Sequence, residues 1–241
     1  MKNNCNCNNC NNCIEGEPIC ARHISIFSAL SDEELKNIIS MVTRKEYLKG
    51  EVICREGEVY DSLFLIREGK IKISKITRDG KEQIIHILTK GDFFGETNLF
   101  DDIISSFTAT AITNSRVCIL SRGDLEGILN KNPSISMKIL KELTYRLSET
   151  EDLAKVLATK DVESRIANML LEFSNKYGKS IDGNIYLEVP LNREDMANYC
   201  GVTRETISRK LSKLEDDNII ELKGNKIIII KDIDSLKDIG E

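Results

Sequence analysis

The stretch LNREDMANYCGVTRETISRKLSKL, residues 191–214, constrains this chain more than any other. Its apolar positions recur at helical spacing in two runs, broken at Cys200-Gly201-Val202. Asn192 is a good helix N-cap, and Asp195 three residues on favours the first turn. Met196 and Tyr199 then fall on the inward face. Gly201 can adopt a left-handed backbone that residues with a Cβ resist, which places the turn there. Thr203 caps a second helix whose buried stripe is Ile207, Leu211 and Leu214. With that stripe inside, Arg204, Glu205, Ser208 and Arg209 share the outward face of its first two turns. Each suits a base edge: Arg pairs with guanine, Glu accepts from cytosine, and Ser serves several partners. A helix-turn-helix sets such N-terminal positions of its second helix in the DNA major groove. The same spacing also describes an ordinary helical hairpin with a solvated charged face.

Around this element the chain falls into four stretches. Residues 1–22 are dominated by Asn and Cys and hold almost nothing to bury, so burial alone cannot order them. Residues 23–130 begin with a short helix capped at Ser31, with Leu35, Ile38 and Ile39 inward. Short strands follow, punctuated by Gly50, Gly57, Gly69, Gly80, Gly91 and Gly95. LFLIREGKIKIS reads as two strands about Glu68-Gly69, and Asp79-Gly80 is a strong hairpin signal. Such a series predicts a sandwich, roll or barrel. Residues 131–158 form a long helix opened by Asn132-Pro133-Ser134. Leu140, Leu143, Leu147, Thr150, Ala154 and Leu157 step alternately by three and four along it, the spacing of a two-helix seam. Its first half, with Ile135 and Ile139, is expected to pack on the chain's own strands.

Residues 159–241 make the last domain. Asp161 caps a helix with Val162, Ile166, Met169, Leu170 and Phe173 on one face, and a strand over Tyr186 to Leu191 leads into the helix pair. Ile219 to Leu222, the turn Gly224-Asn225 and Ile227 to Ile230 form a hairpin, the wing of a winged helix-turn-helix. Lys223 and Lys226 at its tip are placed to touch phosphate or simply to be solvated. The fold class is α+β: a β-roll, a long dimerisation helix and a C-terminal winged helix-turn-helix.

Net charge is -5, and from Thr159 onward there are thirteen Lys/Arg against sixteen Asp/Glu. Positive charge is local: Arg204, Arg209, Lys210 and Lys213 against Glu205. A local patch serves a specific site and predicts weak binding to random DNA, which phosphate neutralisation drives. No apolar run approaches a membrane span and no signal peptide is seen, so a cytoplasmic protein without membrane partners is expected.

Of eight cysteines, Cys5, Cys7, Cys10, Cys13 and Cys20 lie in the first twenty residues. In a reducing cytosol such clustering points to metal or redox chemistry rather than disulfides. Cys7-x2-Cys10-x2-Cys13 is the kind of run that holds iron–sulfur clusters. Zinc, whose thiolate sites use similar spacings, a disulfide switch, and an idle tail remain alternatives. Cys54 and Cys200 sit among apolar neighbours and are expected in the core.

Gly201 to Arg209, GVTRETISR, resembles the recognition motif of the Crp/Fnr family of bacterial transcription regulators. GDFFGE, residues 91–96, and EGK, residues 68–70, resemble the β-roll of the cyclic-nucleotide-binding fold. The resemblance implies that Glu205 and Arg209 read a G·C-containing core of each half-site. Ser208 looks like the oxygen-sensing branch, which reads TTGAT-like half-sites, and Arg204 like the cyclic-AMP branch, which reads TGTGA-like ones. Thr203 and Lys210 complete the candidate DNA-binding set. A palindromic double-stranded operator, a homodimer and RNA polymerase are the implied partners.

Cys10-x2-Cys13-x6-Cys20 is nearly the N-terminal spacing of the family's oxygen sensors, which draw a fourth ligand from far along the sensor domain. ITNSRVCILS resembles the strand that carries it. The implied ligands of a 4Fe–4S cluster, labile to oxygen or nitric oxide, are Cys10, Cys13, Cys20 and Cys118, with Cys5 and Cys7 as alternatives. Cys118, between Val117 and Ile119, also fits a plain buried small hydrophobe. In cyclic-nucleotide binders Gly95-Glu96 would meet a ribose and an Arg-Ser pair would hold the phosphate. Here DDIISSFTATA has Ser105 and Ser106 but no Arg, so cyclic AMP is not expected. Haem on His23 or His86, or another small effector, is an alternative gate. A thiol oxidoreductase is the rival of another class. No residue pairing activates a nucleophile and no cofactor fingerprint is present, so an enzyme is not expected.

Overall fold

The computed structural model describes residues 24–27, 30–96, 104–159 and 161–240. The chain divides into two compact units: one runs to Ile73 and resumes over Ile87–Tyr145, the other combines Ser74–His86 with the chain from Arg146 onward.

The first unit starts with a 3-10 turn, Ser25–Phe27, and helix α1, Asp32–Met41. Ser31 caps α1 reciprocally: its N–H donates to Glu34 Oε2 at 2.8 Å, and Glu34 N–H donates to Ser31 Oγ at 3.4 Å. The strands are β1 Thr43–Tyr47, β2 Val52–Cys54, β3 Ser62–Glu68, β4 Ile71–Ile76, β5 Glu82–Leu88, β6 Phe93–Phe94, β7 Thr108–Ala111 and β8 Ser115–Ser121. They form two four-stranded sheets, ordered β1-β8-β3-β6 and β2-β7-β4-β5. Helix α2, Arg122–Lys131, capped by Ser121, leads into the long helix α3, Pro133–Thr159. Pro133 opens α3 where a missing N–H costs nothing.

Two apolar layers hold this unit. One lies between the sheets and includes Ile53, Phe64, Ile66, Ile71, Phe94 and Val117. The other covers the outer face of the first sheet. There Leu63, Leu65, Phe93 and Leu120 meet Ile24, Ile26, Phe27, Leu35, Ile128, Ile135 and Ile139. β3 is therefore buried on both faces, which is why LFLI is a continuous apolar run instead of an alternating one. The expected packing of Ile135 and Ile139 is observed.

In the second unit, helix α4 spans Val162–Tyr177 and the hairpin β9 Gly178–Ile181 and β10 Asn184–Glu188 follows. Helices α5, Arg193–Cys200, and α6, Arg204–Asp216, come next, then β11 Ile220–Lys223, β12 Ile227–Ile230 and a last helix α7, Ile233–Gly240. The strands form one sheet ordered β11-β12-β10-β9. Asp161 caps α4 through Ser164 N–H, and Ile166, Met169, Leu170 and Phe173 are buried as expected. The α+β class, the roll, the long helix and the winged helix-turn-helix all match the sequence reading. Helices α2 and α7 and strand β9 are additions to it.

The turn between β3 and β4 depends on Gly69, at φ +95°. A Cβ there would fall 2.2 Å from Ser115 Oγ and 2.7 Å from the Asn114 carbonyl oxygen. Gly69→Ala is expected to destabilise the protein by more than about 1 kcal/mol, since both the backbone and the space refuse it. Urea unfolding checks this: the midpoint should fall with the slope unchanged.

Candidate nucleic-acid interface

The turn of the helix pair is built as a closed cap. Asn192 Oδ1 accepts from Asp195 N–H at 2.9 Å and starts α5. Gly201 ends it in the left-handed region, φ 64° and ψ 41°, with its N–H returned to the Ala197 carbonyl. Arg165 of α4 donates from Nη1 to the Cys200 carbonyl at 2.9 Å, satisfying another orphan acceptor of that helix end. Thr203 then starts α6, its hydroxyl accepting from Thr206 N–H at 3.3 Å.

Ile207, Leu211 and Leu214 are fully buried. That fixes the rotation of α6, and Thr203, Arg204, Glu205, Ser208 and Arg209 are all exposed, as the sequence predicts. The Glu205 carboxylate is held below the ordinary carboxylate range by hydrogen bonds to its own backbone N–H and the Thr203 hydroxyl. It is thus an ionised, acceptor-only group in the first turn, which suits a cytosine amine.

Lys210 is placed differently from these five. Its side chain is half-buried and turned to α4, with Nζ 2.5 Å from Glu163 Oε2; Lys213 reaches the same carboxylate at 3.0 Å. These two cations hold Glu163 below its ordinary value. Lys210 thus braces the recognition helix against α4 instead of facing outward. On the wing, Lys226 is exposed, while Lys223 lies 5.8 Å over the Tyr186 ring and 3.7 Å from Glu221.

The other candidate residues divide between core and surface. Cys54 and Cys200 are buried as expected, their thiols pushed up to about 11 and about 12 by desolvation. Cys118 on β8 is half-buried and packs against the layer that contains Ile24, Ile26 and Phe27. Cys5, Cys7, Cys10, Cys13, Cys20 and His23 lie outside the described residues. His86 is partly engaged: Nε2 is 3.1 Å from Thr150 Oγ1, and Nδ1 faces Glu149 Oε2 at 3.9 Å. Ser105 is buried and donates to the Phe107 carbonyl at 2.7 Å. Along α3, Leu140 and Leu147 are 56% and 59% exposed and Ala154 is exposed. Leu143 and Leu157 are half-buried, and Thr150 donates back to the Arg146 carbonyl.

A capped helix pair about a left-handed glycine, flanked by a two-stranded wing and presenting Arg, Glu and Ser from the second helix, defines a DNA-binding winged helix-turn-helix. Residues 44–132 match the cyclic nucleotide-binding domain, and residues 164–239 match the Crp-like helix-turn-helix domain. The chain is 30% identical over 201 residues to the fumarate and nitrate reduction regulatory protein of Yersinia pestis, covering 83% of this chain and 80% of that one. It is 29% identical over 204 residues to the CRP-like cAMP-activated global transcriptional regulator of Mycobacterium tuberculosis, covering 85% and 91%. Among solved structures it resembles FixK2 from Bradyrhizobium japonicum, with a TM-score of 0.73 and 26% identity over 83% of this chain and 98% of that one. The chain belongs to the Crp/Fnr family of transcription regulators. It is a regulator and not an enzyme, and no helix among the described residues is long and apolar enough to cross a membrane.

Arg209→Ala should cost about 1–3 kcal/mol of operator binding and relax preference at one base pair. Lys210→Ala should leave the salt slope of binding unchanged and lower thermal stability, non-additively with Glu163→Ala. Titrations against a set of single-base operator variants, at several salt concentrations, distinguish the two residues.

Proposed function

We propose that this regulator is a homodimer that reads a palindromic operator and is gated by an oxygen- or nitric-oxide-labile 4Fe–4S cluster held by Cys10, Cys13, Cys20 and Cys118. The observation that carries the gate is the placement of Cys118. It lies opposite Leu65 in the sheet and packs with the layer formed by Ile24, Ile26, Phe27, Ile135 and Ile139. Cys20 precedes Ile24 by four residues, a link that spans at most about 14 Å. The root of the tail, the distant cysteine and the first half of α3 therefore share one apolar layer. A half-buried thiol on that layer suits a ligand that must be shielded yet reachable by a small oxidant, which the raised, deeply buried thiols of Cys54 and Cys200 do not.

The chemistry such a cluster supplies is oxidative lability at thiolate-held iron near solvent. The chain's own residues would turn it into a signal. Ile24, Ile26 and Phe27 pack with Ile135 and Ile139, so a change in how the tail is held alters the support of α3. The other face of α3, with Met137, Leu140 and Leu147 all more than half exposed, fits a second copy of the same helix. Two copies of α6 then meet half-sites about one helical turn apart. Contact with RNA polymerase belongs to this reading as the route to transcription. Cyclic AMP does not: no arginine stands on the DDIISSFTATA segment, and the Ser105 hydroxyl is already used on Phe107.

Protein purified without oxygen should contain about four iron and four acid-labile sulfide per chain, and Cys118→Ser should lose most of both. Unchanged iron and sulfide in the variant would overturn the ligand assignment, and zinc in place of iron would overturn the cluster. Leu147→Glu should shift the protein to monomer in sedimentation and weaken operator binding at least about a hundredfold, through loss of bivalency.

A further inference from the structure

A chain of polar groups runs through the second unit, and DNA reading as described above does not use it. At one end is His86 on β5. Thr150 gives its hydroxyl proton to the Arg146 carbonyl at 2.7 Å, so at 3.1 Å the Thr150 oxygen is left to accept from His86 Nε2–H. That tautomer leaves Nδ1 of the neutral ring bare, facing Glu149 Oε2 at 3.9 Å. Glu149 Oε1 takes Lys176 Nζ at 2.7 Å, and the same ammonium donates to Glu172 Oε1 at 3.0 Å. Glu172 Oε2 accepts from the Tyr199 hydroxyl at 2.5 Å. Tyr199 lies on α5 beside the turn, and its carbonyl accepts from Gln83 of β5 at 3.0 Å. Asn198 donates to Glu82 Oε2 at 2.9 Å, tying the same hairpin to the same helix end. The path begins on β5, crosses α3 and α4, reaches α5 and closes on β5.

The charges that act directly on His86 balance while it is neutral. Arg146 and Glu149 face it from α3, Lys176 and Glu172 from α4. Two cations thus meet two carboxylates, and a third cation has no carboxylate of its own. A proton on Nδ1 would share Glu149 with Lys176, one on each carboxylate oxygen, and would add a buried cation that Lys176 and Arg146 repel. Burial, with Arg146 and Lys176, holds the imidazole below its ordinary value, while Glu149 and Glu172 oppose this. The sign follows: the closed arrangement binds the proton less well than an opened one. Its full stability is present above the ordinary histidine value of about 6.5 and is lost as pH falls below it.

We infer that His86 is a proton-operated latch on the helix-turn-helix. Neutral, it keeps the β4–β5 hairpin, α3 and the C-terminal end of α5 joined through Glu149, Lys176, Glu172 and Tyr199. Protonated, it sets a third cation beside Arg146 and Lys176, strains the contacts that Glu149 shares, and loosens the turn that positions α6. The latch acts within one chain and does not depend on the metal site, so it stands or falls separately from the cluster.

The test is amide hydrogen exchange on the whole protein, read at Gly201 and Val202, whose N–H groups are both held by the Ala197 carbonyl. Between about pH 7.5 and about pH 5.5, after correction for intrinsic rates, protection in the natural chain should fall by up to about tenfold. His86→Gln stays neutral and keeps a donor for Thr150, so its protection should not change over that range. His23→Gln, at the only other histidine, should behave as the natural chain does. Lys176→Met, which cuts the same path without touching the histidine, should show the low protection already at about pH 7.5. Equal pH dependence in the natural chain and His86→Gln would overturn the inference, as would full protection in Lys176→Met.

Discussion

A thirteen-residue helix that buries Ile207, Leu211 and Leu214 has no choice about what it shows to solvent. Those three side chains set the rotation of α6, and Glu205, Ser208 and Arg209 follow from it by geometry alone. The rest of the second unit serves that rotation. Arg165 closes the end of the preceding helix, Glu163 draws in Lys210 and Lys213 from the flank, and Tyr199 is tied from below through Glu172. The presentation of these three groups rests on hydrophobic burial, with the N-terminal hydrogen bonds of Glu205 added to it.

The long helix carries two duties on adjacent faces. Toward its own strands it places Ile135 and Ile139 in the layer that also holds Ile24 and Phe27. Beside that face it leaves Leu140 and Leu147 uncovered. An ideal helix drifts about 20° per heptad against a strict 3.5-residue repeat, so one stripe cannot keep facing the same strands along its whole length. Leu143, half-buried, packs at the margin of that layer, and Leu157 lies near Gly201. The compact units divide inside this helix, between Tyr145 and Arg146, where the stripe passes from packing on strands to meeting the hairpin residues around His86.

Much of this was legible in the sequence because the signals were strong and local. A capping residue, a glycine and a three-four apolar step locate α5 and α6 without tertiary knowledge, and the alternating glycines announce the roll. The misses have physical reasons. Strand β9 hides in a polar run, GKSI, yet its turn is Asp182-Gly183 with both residues at positive φ, a hairpin signal that could have been read. Helix α7 has one fully buried apolar anchor, Leu236, too few for a periodic pattern. Lys210 could not be placed because its partner, Glu163, is forty-seven residues away, and sequence spacing reports only neighbours along a helix. The same holds for His86, which reads as an isolated polar residue until Thr150 and Glu149 are brought to it.

Cys200 lies against the Met169 sulfur at 3.6 Å, and Cys54 is shut between the sheets. Burial withholds both from the thiolate form that electrophiles attack. Two of the eight thiols are thereby removed from competition for peroxide or an alkylating reagent while the fold persists. Oxidative damage at either site is therefore a record of unfolding, and an intact pair of these thiols certifies that a chain exposed to oxidant has kept its cores closed throughout.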